Sequence, residues 1–193
     1  MPIVVETLTI QCRAGTIPSV LAVLEPFVRE TGAGCWVAEL GLLNRIIVMR
    51  TAVNGETDAF QPPALLWPEA AVVEVERDLW RVVGDAMLPP GDYGPIYEFR
   101  CYDIFKGEMS AVERLFLEAL PARLPYSPLL TVMVALDDSE RFCHVWPYRG
   151  LDKRASLRRE AVAAALWPPK GVAPLLETMR SEIYLPAPFS TYR

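Results

Sequence analysis

Apolar and polar side chains alternate along residues 96–105 (IYEFRCYDIF), the period-two pattern of a strand with two unlike faces. Ser110, Ala111, Val112 and Glu113 then have the spacing of a capping box, which predicts a helix running to about Pro121 or Leu124. Residues 129–136 (LLTVMVAL) form an apolar run of strand length, Asp137, Asp138 and Ser139 a turn, and residues 141–148 a second strand ending near Pro147. A helix from about Leu151 to Trp167 is stopped by Pro168 and Pro169, and the chain closes with a short helix and an edge strand near residues 182–185. The order is βαββαβ.

The same order is legible in the first half. ETLTIQCRAG (6–15) and EFRCYDIFKG (98–107) each run from Glu to Gly, 92 residues apart. NRIIVMRTA (44–52) aligns with ERFCHVWPY (140–148) at an offset of 96, and LLWPEA (65–70) with ALWPPK (165–170) at 100. Strands are predicted over 3–12, around 35–40 and over 45–50, with a helix from Pro18 to about Glu30 that Pro26 should kink or end early. Residues 70–83 are rich in β-formers, yet the repeat predicts a short helix there and a strand from about Asp78. Residues 1–88 and 96–193 are thus two tandem units, and the Pro- and Gly-rich 89–95 is a linker.

A βαββαβ unit is a split-βαβ, ferredoxin-like arrangement: an antiparallel sheet with helices on one face. Two such units in one chain can pack their open faces together, giving an α+β fold in which a pseudo-twofold barrel forms without a second subunit. Edge strands would still invite pairing, so both a homodimer and an intramolecular pseudo-dimer are expected readings.

Composition narrows the function classes. Of 193 residues, 52% are apolar, enough for a sizeable core, and no stretch approaches the roughly 20 apolar residues of a membrane span. Nothing near Met1 has the character of a secretion signal, and Cys12, Cys35, Cys101 and Cys143 are scattered, so free thiols in a reducing cytoplasm are expected. A net charge of −5 argues against a nucleic-acid partner. One histidine and scattered cysteines do not make a metal site, haem ligation through His144 has no supporting motif, and no Gly-rich phosphate loop precedes a helix, so no cofactor is expected.

Candidate chemistry concentrates in residues 142–160 (FCHVWPYRGLDKRASLRRE), which hold the single histidine, one lysine and four arginines. Alternation sorts Phe142, His144, Trp146 and Tyr148 into one row and Glu98, Arg100 and Tyr102 into another. Both rows are assigned to the barrel interior, with Tyr97, Phe99 and Cys101 facing the helices. An aromatic row with one imidazole resembles a pocket wall, although it equally suits a core with His144 neutral and bonded to Glu98 or a carbonyl. On the following helix Leu151, Ala155, Val162 and Leu166 form an apolar stripe that takes in Arg158, which must therefore meet a carboxylate or a carbonyl cluster. Arg158 either anchors the helix or holds a ligand anion. Arg149, Lys153 and Arg159 read as a solvated face.

YEFRCYDIFKGEMSAVERLF, ERFCHVWPYRGLDKRASLRRE and LLETMRSEIYLPAPFS resemble the NIPSNAP family, whose pattern runs Tyr-Glu-Leu-Arg-x-Tyr, Asn-x-x-x-His-x-Trp-x-Tyr, Leu-x-x-Arg-x-x-x-Arg and Pro-x-x-Phe-Ser. In the first half GCWVAELGLLNRIIVM is similar to the family's Trp-x-x-Glu-x-Gly-x-x-Asn segment. The resemblance implies a dimeric α/β barrel and no settled activity, since related barrels include cofactor-free monooxygenases, haem enzymes and stress-responsive proteins. Glu140 stands where the pattern has Asn, and Val48 where the second half has His144.

Two functions follow as expectations. One is a small-molecule-binding or assembly protein that holds a small aromatic or apolar ligand in the barrel interior, with Arg100, Tyr102, Trp146, Tyr148 and Arg158 as binding residues. The other is a cofactor-free monooxygenase acting on an aromatic or quinol substrate, in which Trp146 and Tyr148 stack the ring while His144 and Glu98 remove a proton.

Overall fold

Each period-two segment becomes a strand and each amphipathic segment a helix, in a computed structural model that describes residues 3–51, 68, 70–137 and 139–193. In order these are β1 (Val4–Cys12), α1 (Ile17–Thr31), β2 (Gly34–Leu40), β3 (Arg45–Thr51), β4 (Val72–Met87), β5 (Ile96–Ile104), α2 (Met109–Arg123), β6 (Thr131–Ala135), β7 (Arg141–Tyr148), α3 (Leu151–Ala163), a 3-10 turn (Ala173–Leu175) and β8 (Leu176–Pro186). No helix among the described residues is long and apolar enough to cross a membrane.

The eight strands close into one antiparallel barrel in the order β1-β3-β2-β8-β5-β7-β6-β4. Within each half the spatial order is last strand, first, third, second: β4-β1-β3-β2 and β8-β5-β7-β6. The halves join at two seams, β2 against β8 with Ala38 opposite Tyr184, and β4 against β6 with Trp80 opposite Ala135. Closure within one chain removes the edge strands that would have invited a second copy. Residues 89–95 lie beside the C-terminus, where Gly91 and Arg193 exchange backbone hydrogen bonds with the opposite segment.

Three apolar clusters fill the molecule. One draws on strands of both halves and on no helix, with Trp36, Met49, Trp80, Phe99, Met133 and Tyr184 meeting inside the barrel. Another joins the outer face of β1 and β3 to α1, and a third joins the outer face of β5 to β7 to α2 and α3. The offset of 92 residues holds between β1 and β5 and between α1 and α2. Val20, Leu24 and Val28 of α1 are buried at the positions where α2 buries Val112, Phe116 and Leu120.

The facing of the second half is the reverse of the sequence expectation. Tyr97, Phe99 and Cys143 point into the barrel, whereas Phe142, Trp146 and Tyr148 pack under the helices. The register carries Glu98, Arg100, Tyr102 and His144 to that same outer face. Alternation separates two faces without saying which is covered by what, and the row of Tyr97, Phe99 and Cys143 fills the closed barrel, with Arg141 of the same row at its mouth.

Other differences have local causes. β4 runs unbroken from Val72 because β1 pairs with its first part, up to Arg81, and β6 with its second, from Trp80, so β-propensity prevails over the helix suggested by the repeat. Pro26 does not end α1, since it lies on the exposed side where the carbonyl freed at Ala22 meets water, and the helix stops at Gly32 in the left-handed region. α2 starts at Met109 without a side-chain cap, and Glu113 instead pairs with Arg81 at 2.6 Å. α3 ends at Ala163, and it buries Leu157 and Ala161 while Leu151 and Val162 are exposed, because the helix turns Arg154 and Arg158 toward the sheet. β8 is longer than expected and lies between β2 and β5 as an inner strand. Most of LLWPEA and Asp138 lie outside the described residues.

Candidate functional site

On the outer face of the second half, cross-strand pairing sets Glu98 beside Trp146, Arg100 beside His144 and Tyr102 beside Phe142, with Ser181 of β8 next to Arg100. Glu98 is fully buried, and its Oε1 accepts from Arg154 at 2.5 Å, Ser181 at 2.6 Å, Arg100 at 2.9 Å and Arg158 at 3.2 Å. Burial alone would push its pKa up, but the Arg154 hydrogen bond, the Arg100 charge and the Ser181 hydroxyl bring it down to about 2. Glu98 is a permanent anion that holds α3 onto the sheet.

A fourth guanidinium lies on the far side of Trp146. Arg123, at the end of α2, is 2% exposed, sits 4.7 Å from the Trp146 ring, and donates to Tyr148 Oη at 3.4 Å, leaving Nε and Nη1 without a partner. Burial lowers its pKa, yet a guanidinium stays charged at ordinary pH. Four cations thus surround one carboxylate.

Between this face and its helical cover lies a cavity of about 220 Å³. Val112 and Phe116 of α2, Phe142 of β7, Val162 of α3, Trp167 and Met179 supply apolar walls, and Arg100, Tyr102, His144 and Arg158 the polar ones. Phe116 packs 5.0 Å from His144 and 5.1 Å from Trp167, ring centre to ring centre. A mostly apolar recess with a few converging polar groups is the usual form of a small-molecule site.

His144 is 1% exposed, and its Nδ1 accepts the Trp146 indole N–H at 2.5 Å. With Nδ1 an acceptor, the neutral ring carries its proton on Nε2, which is buried without a partner among the described residues, in a ring that lines part of the cavity. Burial first, and then the Arg100, Arg158 and Arg123 charges against the weaker pull of Glu98, keep the ring's pKa well below its ordinary value. His144 is therefore a hydrogen-bond donor. The expected proton abstraction by His144 and Glu98 does not fit this geometry, since one lone pair is already taken and the carboxylate is held by four donors.

Of the residues expected at the site, Arg100, Tyr102, His144 and Arg158 line the cavity together, and Arg158 meets its carboxylate in Glu98. Trp146 stands behind His144, and Tyr148 lies beyond it with Arg123, so neither lines the space. The barrel interior, expected to hold the ligand, is filled by its own side chains and retains only about 80 Å³ at a mouth lined by Thr9, Glu76, Arg141 and Arg180 among others. Sequence reasoning missed Phe116, Trp167, Arg123 and Arg154. In the sequence Trp167 marks only a helix end and Arg123 lies outside the basic cluster, so only packing joins them. Among the described residues no three His, Cys, Asp or Glu side chains are placed to hold a metal ion.

Residues 97–191 match the family model for NIPSNAP. Among solved structures, one from Fusobacterium nucleatum described as a "putative monooxygenase" covers 96% of this chain and 92% of its own at 9% identity with a TM-score of 0.66. One from Lactobacillus acidophilus with the same description covers 96% and 94% at 5% identity and 0.66. A NIPSNAP family protein from Agrobacterium tumefaciens covers 55% of this chain and 98% of its own at 25% identity and 0.47. No curated protein matches the chain. The full-length likenesses concern the fold, an α+β barrel of the dimeric α/β type completed in one chain. Within that barrel, the match to the NIPSNAP family model spans residues 97–191, just under half of the chain.

Proposed function

We propose that the protein binds a small molecule in the helix-covered pocket of its second half. The observation that carries this reading is a mainly apolar cavity lined in part by His144, a ring whose buried Nε2 has no partner among the described residues. A buried N–H left without a partner costs stability, and a ligand acceptor would relieve that cost. The reading keeps the residues expected from the sequence and moves the ligand from the barrel interior to the outer face of the sheet. Its division into tandem units, 1–88 and 96–193 joined by 89–95, rests on the shared strand order and on the offset of 92 between β1 and β5 and between α1 and α2. Four unpaired thiols suit a reducing compartment such as the cytoplasm.

The monooxygenase reading takes support from the described activity of the two full-length neighbours. It lacks a base at the cavity, because Glu98 is a weakly basic carboxylate that does not line the space and His144 presents a proton rather than a lone pair. Binding is therefore the reading favoured.

The test is the thermal midpoint against a panel of single-ring aromatic and medium-chain compounds, for wild type and Val162→Trp. Val162 is 59% exposed at the cavity wall, so a large ring there closes the space without touching the core. A compound that raises the wild-type midpoint and leaves the variant unmoved supports the pocket. Equal shifts in both proteins would place binding elsewhere.

A further inference from the structure

The cations around the pocket outnumber the anions, and an entering molecule meets them unequally. Glu98 does not line the cavity, whereas Arg100 and Arg158 do. Arg100 spends Nε on Tyr102 Oη at 2.6 Å and Nη1 on Glu98, while Arg158 spends Nη1 on Glu98. The Nη2 group of each hydrogen-bonds to no other described residue. Both guanidiniums are partly shielded, with side chains 15% and 37% exposed. Arg154 and Arg123 add two further charges just behind them. The Glu98 carboxylate cannot by itself balance these four guanidiniums, although the chain as a whole carries a net charge of −5.

On the pocket reading above, we propose that the ligand is an amphipathic monoanion, with a ring-sized or short-chain apolar body and a carboxylate head held by Nη2 of Arg100, Nη2 of Arg158 and Nε2–H of His144. The body fills the space between Phe116, Phe142, Trp167 and Met179. The head meets three donors at one end, and guanidinium donors match carboxylate geometry better than any other side chain. A neutral head would cover the two arginines without compensating their charge, and a cationic head would meet repulsion from four groups. Glu98 selects against neither, because its free oxygen is buried away from the cavity. Its part is to hold Arg100 and Arg158 in place before the ligand arrives, which reduces the ordering cost of binding.

Matched acid and alcohol pairs separate this proposal from the pocket reading on which it rests. Octanoate with octan-1-ol, and 2-naphthoate with 2-naphthylmethanol, are titrated at low salt into wild type, Arg158→Met, Arg100→Met and Val162→Trp. Far-UV circular dichroism confirms that each variant is folded, and partly exposed Arg158 is the position least costly to change. The expected result is that an acid binds wild type about tenfold or more tightly than its alcohol, the scale of a charge-assisted hydrogen bond. Arg158→Met should bring the acid to the affinity of the alcohol, and Val162→Trp should abolish both. Equal binding of acid and alcohol, both blocked by Val162→Trp, would overturn the anionic head and leave the pocket standing. An acid preference that survives in both arginine variants would also overturn it. If neither acid nor alcohol binds, the pocket reading falls and the head-group assignment with it.

Discussion

Beneath α1 the sheet presents Glu6, Leu8 and Ile10 on β1 beside Arg50, Val48 and Ile46 on β3. Beneath α2 and α3 the matching positions are Glu98, Arg100 and Tyr102 on β5 beside Trp146, His144 and Phe142 on β7. Both halves bury a glutamate at the same place. Glu6 accepts from Arg50 at 3.0 Å and from Arg77, whose position on the last strand of the unit is that of Ser181 in the second. The halves part at the next two steps, where Leu8, Val48 and Ile10 give way to Arg100, His144 and Tyr102. In the first half the three aliphatic side chains join the cluster beneath α1. In the second the polar tips cannot be packed against apolar walls without partners, and the space opens into the pocket. One scaffold thus yields a filled core or a recess according to three side chains.

The largest expected contrast lies in the two glutamates. Glu98→Gln leaves three guanidiniums facing a neutral group in a buried setting and should cost about 3–5 kcal/mol. Glu6→Gln should cost less, about 1–3 kcal/mol, because Arg77 is 40% exposed and water takes over part of its solvation. Urea unfolding of both variants measures the difference, and equal losses would remove the distinction between the halves.

The pH dependence of stability comes next. The folded pKa of His144 is depressed, so its neutral form contributes fully above the unfolded value of about 6.5, and that contribution is lost as pH falls below it. As the chain's single histidine, with Val48 at the corresponding place, it should give a slope of up to about 1.4 kcal/mol per pH unit as pH falls below about 6.5. His144→Gln should flatten that slope. Below about 4.5 Glu98 adds a second loss as pH falls toward its folded pKa of about 2, and this one should persist in the histidine variant.

A smaller contrast tests packing directly. Val20 and Val112 are both buried at matching helical positions, but only Val112 borders the cavity. Val20→Ala should cost about 2 kcal/mol and Val112→Ala less than about 1 kcal/mol, since the second site already lacks neighbours on one side. Thermal or chemical denaturation reads both. Smallest of all, Arg149→Ala should change stability by no more than about 0.5 kcal/mol, because its pair with Asp92 at 3.3 Å is exposed on both sides.

Much of the fold was legible along the chain because strands and helices are written in local period. β7 ends where the alternation ends, and the repeat recovers the matching lengths of β1 and β5 and of α1 and α2. The demand that Arg158 find a carboxylate was likewise legible, since an arginine on a helix face turned to the body cannot stay unpaired. Arg123 and Trp167 were not, because their partners Tyr148, Trp146 and Phe116 lie on other elements and nothing local marks the meeting.

The sequence by itself determined most of the element order, the likeness in pattern between the two halves, the family resemblance of the second half and the residues that carry its polar chemistry. Only the tertiary structure decided which face of the sheet those residues occupy, and therefore that the open space lies under α2 and α3 rather than inside the barrel. Period-two alternation is symmetric with respect to its two faces. The symmetry is broken when eight strands close on one another, because the enclosed volume is then filled by side chains from both halves at once, a condition that no single strand can express.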